Sequence, residues 1–381
     1  MRQWSVIGLF VIFIQMGIAF GGPIDNLKPG EWYEVPNSAL GKSGVLPIPT
    51  PPGCCGYAAI ISAWNGGAYD TKRDRLIIWG GGHGDYAGNE IYAFDIHTLK
   101  WSRIWGPSSS FPPDGAASCL ETYSDGNPAS RHTYDGLVYI PTLDKFWTSG
   151  GSLYCGSGAG SSGTWMFDLA TSSWTRKKNA LGSQVTAMSD YDPSGVVFSL
   201  AQNGILGAYD PRTDTWTHRG SATNWAEYDP ARTMIYHPGK KILLIIGGGK
   251  ILTYNMTQSK PNPEKLSTTG GSAIVNVQGP GLAYDPTIDR IVAWSGGGSN
   301  VYSLDINTHT WTKYTASNSV IPPLASTTKG TYGRWQYIPS KNVYIAVNSV
   351  YNNVFFYKFS SGGGTPPDTA PPDAPKKPRN D

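Results

Sequence analysis

The sequence predicts an all-β fold, a propeller of six blades, each blade a small antiparallel sheet. Three observations predict it. The first is Trp79–Trp101, WGGGHGDYAGNEIYAFDIHTLKW. With the residues just before it, it reads as an apolar strand (Arg75–Trp79), a glycine turn, a polar loop, an alternating strand (Glu90–Asp95), a short turn and a tryptophan. The second is register: Asp95, Asp168, Asp210 and Asp305 each follow a strand and stand six residues before Trp101, Trp174, Trp216 and Trp311. The third is a Tyr-x-Pro or Tyr-Asp-Thr marker before each inner apolar strand, at Tyr69, Tyr139, Tyr191, Tyr236, Tyr284 and Tyr337, with gaps of 70, 52, 45, 48 and 53 residues. A strand-only repeat of about 50 residues is a propeller period, not a helical-solenoid period.

Each element follows from local chemistry. Residues 1–21 combine Arg2, an apolar run and small residues at Gly17, Ala19 and Gly21, the pattern of a secretory signal peptide. The run is broken by Gln15 and falls short of the roughly 20 apolar residues of a membrane span. The propeller domain is expected over residues 22–361. Gly30–Val35 (GEWYEV) resembles the outer strands that follow the Asp-to-Trp turns, while the last unit, Asn342–Phe359, ends after its third strand. The N-terminal strand is therefore expected to complete the last blade and close the ring. Within each unit the Asp caps its turn and the Trp opens the outer strand. The unit at Tyr236 lacks both, so its outer strand carries no marker. Residues 106–130 are the longest insert and account for the 70-residue gap; a seventh blade would have to lie there. Residues 362–381 form a Pro-rich tail that reads as a flexible linker.

The glycine run, the alternating strand ending in Tyr-x-Phe-Asp and the trailing Trp resemble kelch repeats, such as those of the central propeller of galactose oxidase. The resemblance covers roughly residues 31–360 and implies fold; function on such a fold resides in its loops.

Composition agrees with an exported all-β chain: 47 Gly, 29 Pro and 14 Trp among 381 residues imply many short strands and tight turns. A net charge of +3 is too small to argue for nucleic acid. Neither Cys nor His follows a metal-binding spacing, so no cofactor is expected; a structural calcium or zinc ion is compatible with the fold but not indicated. Four cysteines allow three pairings. We expect Cys119–Cys155 to clamp the insert to its neighbour, with Cys54 and Cys55 either bonded to each other or cross-paired. Oligomeric state is not legible.

In a propeller, the loops entering each inner strand share one face with the loops joining the second and third strands. That face collects His83, Asp85, Tyr86 and Asn89 from the first blade, and Arg131, His132 and Tyr134 from the second. Trp225 comes from the fourth blade; Lys329, Tyr332, Arg334 and Tyr351 come from the last, which adjoins the first. His83 and His132 interrupt loops where other blades carry glycine or small polar residues, whereas His97, His218, His237 and His309 fall in turns or outer strands. The acids of this rim are few, chiefly Asp85, Glu121 and Glu227, and no opposed carboxylate pair of the glycosidase type stands out.

A rim of His, Tyr and Arg suits β-elimination on a uronic-acid polysaccharide. Arg131 is expected to neutralise the substrate carboxylate, with His83, His132 and Tyr134 moving the protons. Asp85, Tyr86, Asn89, Trp225, Lys329, Tyr332, Arg334 and Tyr351 are expected to bind the chain. In architecture and residue type this resembles secreted propeller-fold polysaccharide lyases such as those that cleave ulvan. The alternative is a non-catalytic kelch module that stacks sugars or proteins on rim aromatics. A copper-radical oxidase of the galactose oxidase type would need a Cys bonded to a Tyr and two copper-binding histidines; Cys155 lies in a suitable region, but no such ligands can be matched around it.

Overall fold

Short apolar segments flanked by turn residues hydrogen-bond to their sequence neighbours, and six of these meanders arrange themselves radially. A computed structural model describes residues 22–221, 232–324 and 329–359. Residues 1–21, expected to be a signal peptide, the tail 362–381, Trp225 and Glu227 lie outside the described residues. Blade one consists of Gly67–Asp70, Arg75–Trp79, Ile91–Asp95 and Lys100–Trp105, paired in sequence order. Blades two, three and five repeat that order, beginning at Leu137, Ala187 and Gly281. Blade four, from Thr233–His237, ends in an outer strand of two residues, Glu264–Lys265, as befits the unit without the Asp and Trp markers.

Ring closure is as the sequence predicts. Trp32–Glu34 pairs antiparallel with Phe355–Tyr357 and forms the outer strand of blade six. Trp32 is 1 % exposed and packs against Trp294, Trp335 and Tyr357, with its indole N–H donating to Ser299 O at 3.0 Å. The insert hides no seventh blade. Its end forms a two-stranded ladder, Arg131–His132 with Ser152–Leu153, and Cys119–Cys155 clamps it to blade two.

The innermost strands are the tyrosine-bearing segments themselves, packed on one another around the axis; the apolar strand after each lies second. The tyrosine hydroxyls explain their recurrence. Those of Tyr69, Tyr139, Tyr284 and Tyr337 bond to Asp74, Asp144, Asp289 and Asn342, each five residues on and each with positive φ at the hairpin turn. Asp and Asn tolerate that conformation better than most residues. The Asp-to-Trp turns are capped as expected: the Asp95 carboxylate accepts from the amides of His97 and Thr98, and Asp168 from those of Ala170 and Thr171. The core lies between blades, where each sheet presents alternate side chains to its neighbours.

Candidate functional site

Two glycine-dependent approaches and the hydrogen bonds of Asn65 and Arg334 bring the loops of blades six, one and two together. Gly81 N donates to Arg131 O and Gly82 N to Ser130 Oγ, each at 3.0 Å, and a Cβ at Gly82 would overlap the backbone of His132. Asn65 ties the loop entering blade one to that entering blade two. Its Oδ1 accepts from Thr133 N at 3.1 Å, its Nδ2 donates to Ala59 O at 2.8 Å, and Trp64 O accepts from Tyr134 N at 2.6 Å. Arg334 of blade six donates through Nε to Asn65 O at 2.7 Å.

At this junction His132 and Asp85 form a charge-assisted pair, Nε2 to Oδ2 at 2.6 Å. The exposed ring of His83 stands edge-on to His132 with centroids 5.5 Å apart. Tyr134 lies 6.0 Å from His132 on another side, and Tyr332 stands 6.2 Å from Tyr134. Trp64 packs on His132 at 5.0 Å, and the Lys329 ammonium sits 4.1 Å from the centre of the Trp64 ring. Cys54 and Cys55 complete the rim, their sulfurs 3.7 and 3.3 Å from Asp85 Oδ1.

Backbone conformation marks the same place. Of the fourteen non-glycine residues with positive φ among the described residues, ten belong to turns of Asp, Asn and a few others; the remaining four are Trp64, His83, Tyr134 and Tyr332. Bulky residues in that region cost about 1–3 kcal/mol each, and such strain concentrates at functional sites.

Burial lowers the proton affinity of His132, more than the Asp85 hydrogen bond raises it, so its imidazole is neutral at pH 7 and Nε2–H donates to the carboxylate. Burial works against the Asp85 charge, but the His132 hydrogen bond, with Cys55 and the Lys329 charge, holds its carboxyl below the usual range. Burial, with the Asp85 charge, pushes the Tyr134 hydroxyl up to about 12, which keeps it protonated. The neighbouring Cys54, burial and Asp85 push the Cys55 thiol up to about 12.

Other predicted residues are placed differently. Arg131 is fully buried: it donates to Ala129 O, Gly150 O and Ser161 Oγ, pairs with Glu121 Oε1 at 3.0 Å and lies over Trp79. Its fork is spent on the insert and is closed to a substrate carboxylate. Arg334, 2 % exposed, is likewise committed to the carbonyls of Asn65, Val347 and Gly330, and burial brings its guanidinium down to about 10. Asn89 binds Ser108 and Pro128 O beneath the insert, and Tyr86 is buried on Glu90, so neither reaches the rim. Tyr351 is 67 % exposed on the blade-six loop. Cys155 is bonded to Cys119, which leaves no sulfur there for a thioether to Tyr. Sequence reasoning missed Trp64. Its signal was a tryptophan in WNGG that stands outside the Asp-to-Trp register.

A cavity of about 290 Å³ adjoins the cluster on the side of blades five and six, lined by Ser62, Gln278, Ser295, Lys329, Arg334 and Asn348 among others. Among the described residues no helix is long and apolar enough to cross a membrane. No family model matches the sequence, and no curated protein matches it.

Proposed function

We propose that the protein is an exported polysaccharide lyase that cleaves a uronic-acid polymer by β-elimination at the His83–His132–Tyr134 rim. The observation that carries the reading is convergence: an exposed imidazole, a buried imidazole–carboxylate pair, a protonated phenol and an ammonium meet where three blades join. Lys329, rather than the buried Arg131, is the cation available to offset the substrate carboxylate and acidify the adjacent C–H. His83 takes that proton. Electrons of the C–H bond form the C4=C5 double bond as the C4–O4 bond breaks, and the Tyr134 hydroxyl protonates the departing O4. Solvent exchange then returns the proton from His83 and reprotonates Tyr134. The His132–Asp85 pair holds a fixed dipole behind His83, and Trp64 seats the Lys329 ammonium beside it.

The test is a panel of uronic-acid polysaccharides, followed by the ultraviolet absorbance of the unsaturated uronate product. Activity on one member, with kcat reduced about 10²–10⁴-fold in His83→Ala and in Tyr134→Phe, is the expected result. Flat traces across the panel with glycan binding retained would replace the lyase by a non-catalytic binding module.

A further inference from the structure

Beside the proton-transfer cluster, and sharing Asp85 with it, lie two cysteines that the elimination does not use. Cys54, Cys55 and Asp85 each offer one ligand atom, and the three atoms lie within 4.8 Å of one another. Their convergence is built. Cys54 N donates to Gly84 O at 2.9 Å and Cys55 N to Asp85 O at 3.1 Å, so the two loops run paired. Gly53, with φ of 132°, makes the approach possible, because a Cβ there would overlap the Asp85 carbonyl.

We propose that Cys54, Cys55 and Asp85 form a binding site for a thiophilic divalent cation, Zn²⁺ being the ion whose ligand preferences they match. The division of labour on Asp85 supports this. Its Oδ2 is held by His132 Nε2 at 2.6 Å, while its Oδ1 faces both sulfurs. Ligating carboxylates are themselves hydrogen-bonded in metal sites, and His132 holds Asp85 in that way as the positioning residue. Two thiolates and one carboxylate make a three-ligand set that suits zinc and leaves one tetrahedral position open, on the side where solvent reaches both cysteines. The sulfurs sit 2.7 Å apart, and both belong to free, exposed side chains. On binding, each thiol surrenders its proton to solvent and the thiolate bonds to the ion, with no change in oxidation state. A sulfur–sulfur bond between the two would instead leave Asp85 Oδ1 facing sulfurs that carry no proton.

The site shares Asp85 and His132 with the proposed lyase rim, but its test needs no polysaccharide and stands whatever the outcome of the lyase assay. Free thiols are first counted on the full chain purified without chelator, and Zn²⁺ bound after equilibrium dialysis is then measured by elemental analysis. One ion per chain is expected, lost in Cys54→Ser and in Cys55→Ser. In the Co²⁺-loaded protein a thiolate-to-cobalt charge-transfer band is expected, which disappears in the same variants. His132→Gln is expected to bind Zn²⁺ about 10–100-fold more weakly while keeping the band. Isolation with Cys54 and Cys55 joined to each other, absence of bound metal when both thiols are free, or metal retained in the serine variants would each overturn the proposal.

Discussion

Glu90 is 2 % exposed beneath the rim, and its Oε1 accepts from the Tyr86 hydroxyl at 3.2 Å. Burial pushes its carboxyl up to about 7, against an ordinary 4.5. The folded protein therefore binds this proton more tightly than the unfolded chain does. The stability it contributes is complete below the unfolded value and is lost as pH rises through about 7, a loss on the order of 3 kcal/mol. Glu90→Gln keeps the shape without the ionisation. The difference in urea midpoint between wild type and variant is expected to shift in the variant's favour as pH rises from about 5 to about 8. Arg131 and His132 make the companion point about single residues. They are adjacent in sequence and in strand, so period-2 alternation sends their side chains to opposite faces. One becomes the buried partner of Glu121, the other the partner of Asp85.

The insert at 106–130 is the element that departs most from the repeat. It contributes few buried apolar side chains of its own, Phe111, Cys119, Tyr123 and Ala129 forming a small cluster with Leu153. Its order rests on the Cys119–Cys155 bond, the Arg131–Glu121 pair and the Asn89 hydrogen bonds. The disulfide closes a sequence separation of 36 residues, for which chain entropy alone gives about 4 kcal/mol. Replacing both cysteines by serine is expected to speed amide exchange over 106–130 and 150–163 while the strands of blade four keep their protection. Uniform loss of protection across all blades would contradict this assignment of the bond to the insert. The clamp was legible because four cysteines leave few pairings. The salt bridge inside it was not, since Glu121 and Arg131 show no sequence pattern that pairs them.

At the scale of the whole molecule, the ring closes through one short strand from the opposite end of the chain. Trp32 fills the space among Trp294, Trp335 and Tyr357, so this strand supplies core as well as pairing. Deleting residues 22–36 would expose the edge at Phe355–Tyr357 and hollow the adjoining packing. A single cooperative thermal transition at markedly lower temperature, followed by near-ultraviolet dichroism, is the expected outcome; a local change confined to blade six would contradict closure by this strand. Closure also makes the site, for it sets Lys329, Tyr332 and Arg334 beside Trp64 and Tyr134.

What the sequence determined by itself was periodic and local. Alternation gave the strands, the Asp-to-Trp and Tyr turns gave the blade count, and a lone Trp-bearing strand before a three-stranded last unit gave the closure. The first two signals lie within one repeat, where hydrogen bonding and turn chemistry act between near neighbours; the third rests on a strand left over at one end and a strand missing at the other. Tertiary structure alone decided which rim residues face solvent. His83 and Lys329 remain accessible, whereas Arg131, Arg334, Tyr86 and Asn89 are absorbed into the packing. It also brought Cys54 and Cys55 to Asp85 and Trp64 to His132. These outcomes depend on which loops meet across blades. Burial of that kind is set by close packing between segments far apart in the chain, and no local pattern encodes it.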